Sequence, residues 1–194
     1  MSIQSLRNLY KKWVSFKETA RTKSKTLYWI LDTFEVIVVA GSIALVIRTY
    51  VIQTSLVPTG SMIPTLNVGD RLFVNRFIYR FSPPHRGDIV VFRSPIGDGK
   101  DYVKRCVGIP GDTLRVLDGD VYINGKLESF AGVDIQNDFF NYGPKFIPKD
   151  HYFMMGDNRG NSYDSRYWGF VTKQALLGKA LFTFWPLGRM RVLH

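Results

Sequence analysis

The chain has 194 residues, 45% of them hydrophobic and 14% aromatic, enough to bury a core and too apolar for wholesale disorder or a coiled-coil rod. Its single cysteine, Cys106, excludes an intrachain disulfide and a cysteine-rich zinc site. The formal net charge of +10 points to an anionic partner, nucleic acid or membrane, until that charge is located.

Residues 1–27 carry seven basic residues (Arg7, Lys11, Lys12, Lys17, Arg21, Lys23, Lys25) and one acid, Glu18. Most of the excess charge therefore lies in a short N-terminal tail. Next comes a hydrophobic window, Leu27–Ile52, whose only charges are Asp32, Glu35 and Arg48. The charges fall toward its ends, and Tyr28, Trp29 and Tyr50 stand where interfacial aromatics belong. About twenty helical residues cross a bilayer core. The competing reading is a buried helix of a soluble protein. A cleaved leader fits less well, because the basic stretch is long and no small-residue cleavage site follows directly. The expectation is a basic cytoplasmic tail at 1–27, a transmembrane anchor at 28–52 and an exported domain at 53–194.

Beyond the anchor, short apolar runs alternate with turn formers. Strands are predicted at Arg71–Val74, Gly87–Phe92, Tyr102–Ile109, Thr113–Leu117, Val121–Ile123 and His151–Met155. Asp118-Gly119 and Asn124-Gly125 are hairpin dipeptides. Thr172–Gly178 is the one short helical candidate here. The fold class is mainly β, with antiparallel sheets or a partly open barrel.

Chemistry is sought in four segments. Pro58–Leu66 (PTGSMIPTL) holds Ser61 beside Gly60 and between two prolines, a loop suited to presenting one hydroxyl. Arg86–Phe92 (RGDIVVF) reads as a charged turn and a buried strand. Asp101–Asp112 (DYVKRCVGIPGD) places Lys104 on the strand face of Tyr102 and Cys106, with Arg105 opposite. A lysine in apolar surroundings loses solvation of its charged form, and its neutral amine becomes a base. Gly156–Gly169 (GDNRGNSYDSRYWG) packs acids, arginines and serines densely enough for a buried polar network. Each segment taken alone is more simply a turn or a strand edge. The three histidines, His85, His151 and His194, have no metal-ligand spacing and adjoin no serine or cysteine motif. A Ser-Lys pair is an established variant of the nucleophile–base arrangement.

These four segments, in this order after a basic-flanked hydrophobic stretch, resemble the bacterial type I signal peptidases (leader peptidases). The resemblance runs from about Phe34 to Gly188. It implies a membrane-bound serine endopeptidase that removes signal peptides from exported preproteins, cleaving after small residues of the Ala-X-Ala type. It implies Ser61 as nucleophile and Lys104 as general base. Thr59 and the Ser61 backbone N–H would form the oxyanion hole. Ser162 would bond the lysine, with Asp164 and Arg166 as support. By motif position the substrate pockets fall to Val57, Met62, Leu66, Leu72, Val91, Tyr102 and Val103. Phe73, Phe77, Tyr79, Phe81 and Trp185 are candidates to rest on the membrane. No cofactor, metal or nucleic-acid partner is implied, and a monomer is expected. Gly160 departs from the Asp common at its position, and the exported part is short for the family. Three rivals remain. One is a dedicated processing peptidase of the conjugation or pilin type. The others are a self-cleaving repressor, disfavoured by the anchor, and an inactive anchored homologue.

Overall fold

The structure, a computed structural model, describes residues 3–46, 52–130, 132–133 and 138–193. The chain divides into two units, Met1–Thr49 and Tyr50–His194.

The first unit holds two helices, α1 (Ile3–Lys23) and α2 (Lys25–Val46). The basic tail is thus itself helical and packs on α2. Lys17 bridges Asp32 at 2.9 Å and Glu35 at 2.5 Å, and the Trp13 indole donates to Glu35 at 2.9 Å. α2 is long and apolar enough to cross a membrane, and none of that stretch is buried. Trp29, Ile30, Phe34, Val36, Ile37 and Val39 are all exposed. Residues 47–51, including Arg48 and Tyr50 of the expected anchor, lie outside the described residues.

The second unit is mainly antiparallel β, in two sheets. The larger contains β1 (Ile52–Leu56), β2 (Arg71–Asn75), β3 (Ile89–Arg93), β4 (Asp101–Gly108), β9 (His151–Met155), β10 (Val171–Thr172), β11 (Leu176–Trp185) and β12 (Arg191–Val192). Its order is β1-β2-β11-β3-β4-β9-β10, with β12 on β11. The smaller sheet is β7 (Lys126–Glu128), β6 (Asp120–Ile123), β5 (Thr113–Leu117) and β8 (Tyr142–Phe146), in that order. Neither sheet closes into a barrel among the described residues.

The hairpin dipeptides act as their chemistry requires. Asp118 and Gly119 both take positive φ (46° and 84°), as do Asn124 and Gly125 (51° and 81°). These turns join β5 to β6 and β6 to β7 with the twist that antiparallel strands need.

Thr172–Gly178 corrects a sequence expectation. It is not a helix: a 3₁₀ turn at Lys173–Ala175 leads into the ten-residue β11. Ala-Leu-Leu is locally helix-prone, but β11 pairs with β2, β3 and β12 and is fixed by those contacts. Gly178 passes so close to β2 that a Cβ there would meet the Asn75 carbonyl.

Three buried clusters fill the unit. The first joins Val57, Met62, Leu66, Leu72, Val91, Val103 and Leu193. The second, including Val107, Leu114, Val121, Phe153 and Met155, spans both sheets. The third gathers Val90, Phe92, Cys106, Tyr152 and Met154. β4 contributes to all three: Val103 to the first, Val107 to the second and Cys106 to the third.

Candidate active site

Ser61 lies in the 3₁₀ turn Gly60–Met62, between β1 and β2. The turn is pinned from below by Met62 and Leu66, 1% and 0% exposed, in the first core cluster. From the side it is pinned by Asn158. The Asn158 N–H donates to the Ser61 carbonyl at 3.1 Å, and its side-chain amide donates to the Gly60 carbonyl at 3.2 Å. The hydroxyls of Thr59 and Ser61 are 3.3 Å apart. Ser61 thus stands half-exposed on a rigid turn.

Lys104 comes from the middle of β4 and is 4% exposed. Its amine is 3.0 Å from Ser162 Oγ. Burial pulls its pKa from the ordinary 10.5 down to about 8, and the Arg166 guanidinium pushes the same way. The Asp164 and Asp157 carboxylates oppose the shift without cancelling it.

Other charged groups are buried alongside in opposite pairs. Arg105 makes two bonds to Asp157, 2.8 and 2.7 Å, and donates to the Gly87 carbonyl at 2.8 Å. Arg166 makes two bonds to Asp164, 2.8 and 2.9 Å, and also pairs with Asp138. Its remaining donor capacity reaches the carbonyls of Arg159 and Ser162. Arg159 donates to the Gly156 and Gly119 carbonyls. Among the described residues, three buried arginines thus face three buried aspartates around the site. A protonated Lys104 adds an unbalanced fourth cation, whereas a neutral one leaves the set balanced.

Asp164 also caps the short helix α3 (Ser165–Trp168), accepting from the Arg166 N–H, and accepts from the Gly156 N–H at 3.0 Å. Gly156 is the closest point of the assembly. A Cβ there would strike both Ser162 Oγ and the Ser61 carbonyl oxygen. Only glycine lets the strand end pass between the Ser61 turn and Ser162.

A cavity of about 520 Å³ opens over these groups. Its walls are Val57, Pro58, Thr59, Gly60, Ser61, Met62, Lys100, Asp101, Tyr102, Val103, Lys104, Asn161 and Tyr163. The structure therefore gathers Ser61, Lys104 and Thr59 around one space, with Ser162 beneath Lys104 and Asp164 and Arg166 behind it. Of the expected pocket residues, Val57, Met62, Tyr102 and Val103 line it. Leu66, Leu72 and Val91 do not. Each is 0% exposed and packs in the same core cluster as Val57, Met62 and Val103.

Sequence reasoning missed Gly156, Asn158, Asp138, Asn161 and Tyr163. A glycine ending an apolar strand was a usable signal for Gly156. Asp138 had none, being 28 positions from Arg166. Gly160 is exposed, which places the departure at that position on the surface. Cys106 is fully buried and its thiol is pushed up by desolvation, the behaviour of an inert small hydrophobe.

The family described as signal peptidase, peptidase S26, matches residues 30–185. The chain is 42% identical over 171 residues to the probable signal peptidase I-2 of Synechocystis, covering 84% of this chain and 77% of that protein. It is 38% identical over 188 residues to signal peptidase I T of Bacillus subtilis, covering 90% and 94%. It shares 32% identity with a solved signal peptidase I from Enterococcus faecalis, at a TM-score of 0.44, covering 50% of this chain and 97% of that one. The chain belongs to the peptidase S26 family of signal peptidases.

Proposed function

We propose that this peptidase removes signal peptides from exported preproteins with a Ser61–Lys104 pair, cutting after small residues. The observation that carries the reading is the buried Lys104 amine, bonded to Ser162 and lining the same cavity as Ser61.

In this mechanism Ser61 Oγ attacks the scissile carbonyl while neutral Lys104 accepts its proton. The Thr59 hydroxyl and the Ser61 backbone N–H meet the oxyanion. Lys104 then gives the proton to the leaving amine, and the signal peptide remains as an ester on Ser61. Lys104 next deprotonates a water that hydrolyses this ester. Ser162 orients the amine throughout, with Asp164 and Arg166 holding Ser162 in place. Val57, Met62, Tyr102 and Val103 shape a small apolar pocket, which supports selection of small side chains.

The exposed apolar α2 and the basic α1 support a single-pass anchor. In this reading residues 1–27 are cytoplasmic, 28–52 cross a bacterial plasma membrane and 53–194 form the exported catalytic domain. The enzyme acts as a monomer. Exposed Phe81 and Trp185 rest on the outer leaflet beside emerging substrates.

The test is cleavage of a preprotein by the full chain in detergent micelles. Wild type should release the mature protein, and Ser61→Ala should release none while keeping its thermal unfolding transition. Equal cleavage by both would remove the assignment.

A further inference from the structure

Tyr163 is a solvent-facing residue between two buried ones. Ser162 is 7% exposed and bonds Lys104; Asp164 is 0% exposed and bonds Arg166. Tyr163 itself is 52% exposed and lines the cavity. A lone exposed aromatic is ordinary. This one stacks on a second ring, Tyr167, which is itself exposed. Its ring lies 5.2 Å from that of Tyr167, at 36°, and Tyr167 lies 5.1 Å from Phe140. The Arg166 guanidinium sits 5.7 Å over the Phe140 ring. The stack ties an exposed ring at the cavity wall to the buried ion network under Lys104.

Chemistry says which half of a substrate meets that ring. The leaving amine must reach Lys104 to receive its proton. The Cβ of the first residue of the released chain is two bonds from that nitrogen, about 2.5 Å away. That side chain therefore emerges beside Lys104 and its partner Ser162, within the cavity that Tyr163 also lines. The acyl half instead leaves from Ser61 toward Val57 and Met62.

We infer that Tyr163 is a specificity residue for the first residue of the released protein, favouring an apolar side chain that covers its ring. This rests on the Ser61–Lys104 reading. A fixed aromatic face rewards apolar contact through excluded water and needs no ordering on binding.

The test uses the full chain in detergent micelles and two peptides identical except for Leu or Gly directly after the scissile bond. Wild type should prefer Leu. Tyr163→Ala should lower the Leu/Gly ratio of kcat/KM by about 3- to 10-fold, the scale of a modest apolar contact, through KM of the Leu peptide. Tyr163→Ser should repeat that loss, and Tyr163→Phe should retain the wild-type ratio. A general folding defect slows both peptides alike and leaves the ratio unmoved, so the ratio reads contact with substrate. An unchanged ratio in Tyr163→Ala and Tyr163→Ser overturns the inference. So does a change confined to peptides varied before the scissile bond. Wild type and Ser61→Ala cleaving alike would sink the underlying mechanism as well; an unmoved ratio with Ser61→Ala inactive sinks the inference alone.

Discussion

Arg105 and Asp157 are joined by two hydrogen bonds of 2.8 and 2.7 Å, both side chains buried, each one position beyond a site residue: Lys104 and Gly156. The pair locks β4 to the segment after β9, and so sets where Lys104 meets Ser162. Removing one member leaves a buried charge without its partner. Asp157→Ala should therefore cost about 3–5 kcal/mol of stability. Thermal and denaturant unfolding of the purified chain measure this, and a loss under about 1 kcal/mol would show the pair is not a fastener.

On the proposed Ser61–Lys104 mechanism, the lowered pKa of Lys104 sets the acid limb of activity. With a value of about 8, kcat/KM should fall about tenfold per pH unit below it and level off above. Lys104→Arg should be inactive at every pH, since arginine does not give up its proton. A pH–rate profile flat down to pH 6 would remove Lys104 as the base.

The same shift has a stability consequence. The unfolded amine titrates at its ordinary 10.5 and the folded one at about 8. Between those values the unfolded chain binds more protons, so stability rises with pH across that window. Below it the buried amine is a standing cost, roughly 3–4 kcal/mol for a shift from 10.5 to about 8 at about 1.4 kcal/mol per unit of pKa. Lys104→Met keeps the volume and removes the charge. It should raise the unfolding temperature at pH 7 while abolishing cleavage, and the gain should shrink as pH approaches 10. A lower unfolding temperature at pH 7 would contradict the cost assigned to this amine.

Gly156→Ala should be far worse than an ordinary glycine substitution. Its Cβ collides with Ser162 Oγ and the Ser61 carbonyl at once, so relief moves either the Ser61 turn or Ser162, the hydrogen-bond partner of Lys104. A stability loss of about 1–3 kcal/mol is expected from overpacking. Loss of kcat should exceed 100-fold, because misplacement by about 1 Å costs that much. Near wild-type kcat would mean the site tolerates the shift.

Much of the architecture is visible along the chain, where the physics is local. Asp118-Gly119 and Asn124-Gly125 take left-handed backbone readily, so the hairpins they close follow from the dipeptides. Thr172–Gly178 misleads for the opposite reason: its strand state depends on three partner strands that no local window contains. The site divides the same way. Ser61, Lys104, Ser162, Asp164 and Arg166 sit in recognisable motifs. Asp138 reaches Arg166 from a segment with no motif, and only the shape of the folded cavity places Val57 and Met62 on its wall and leaves Leu66, Leu72 and Val91 off it.

The excess charge of residues 1–27, the apolar stretch behind it and the order of the four segments were determined by the sequence alone, because composition and motif order need no third dimension. What lowers the pKa of Lys104 was decided by the tertiary structure. Its amine is shifted by lost hydration, and three arginines already balance the three aspartates around it. Both are properties of packing, and no residue type carries them by itself.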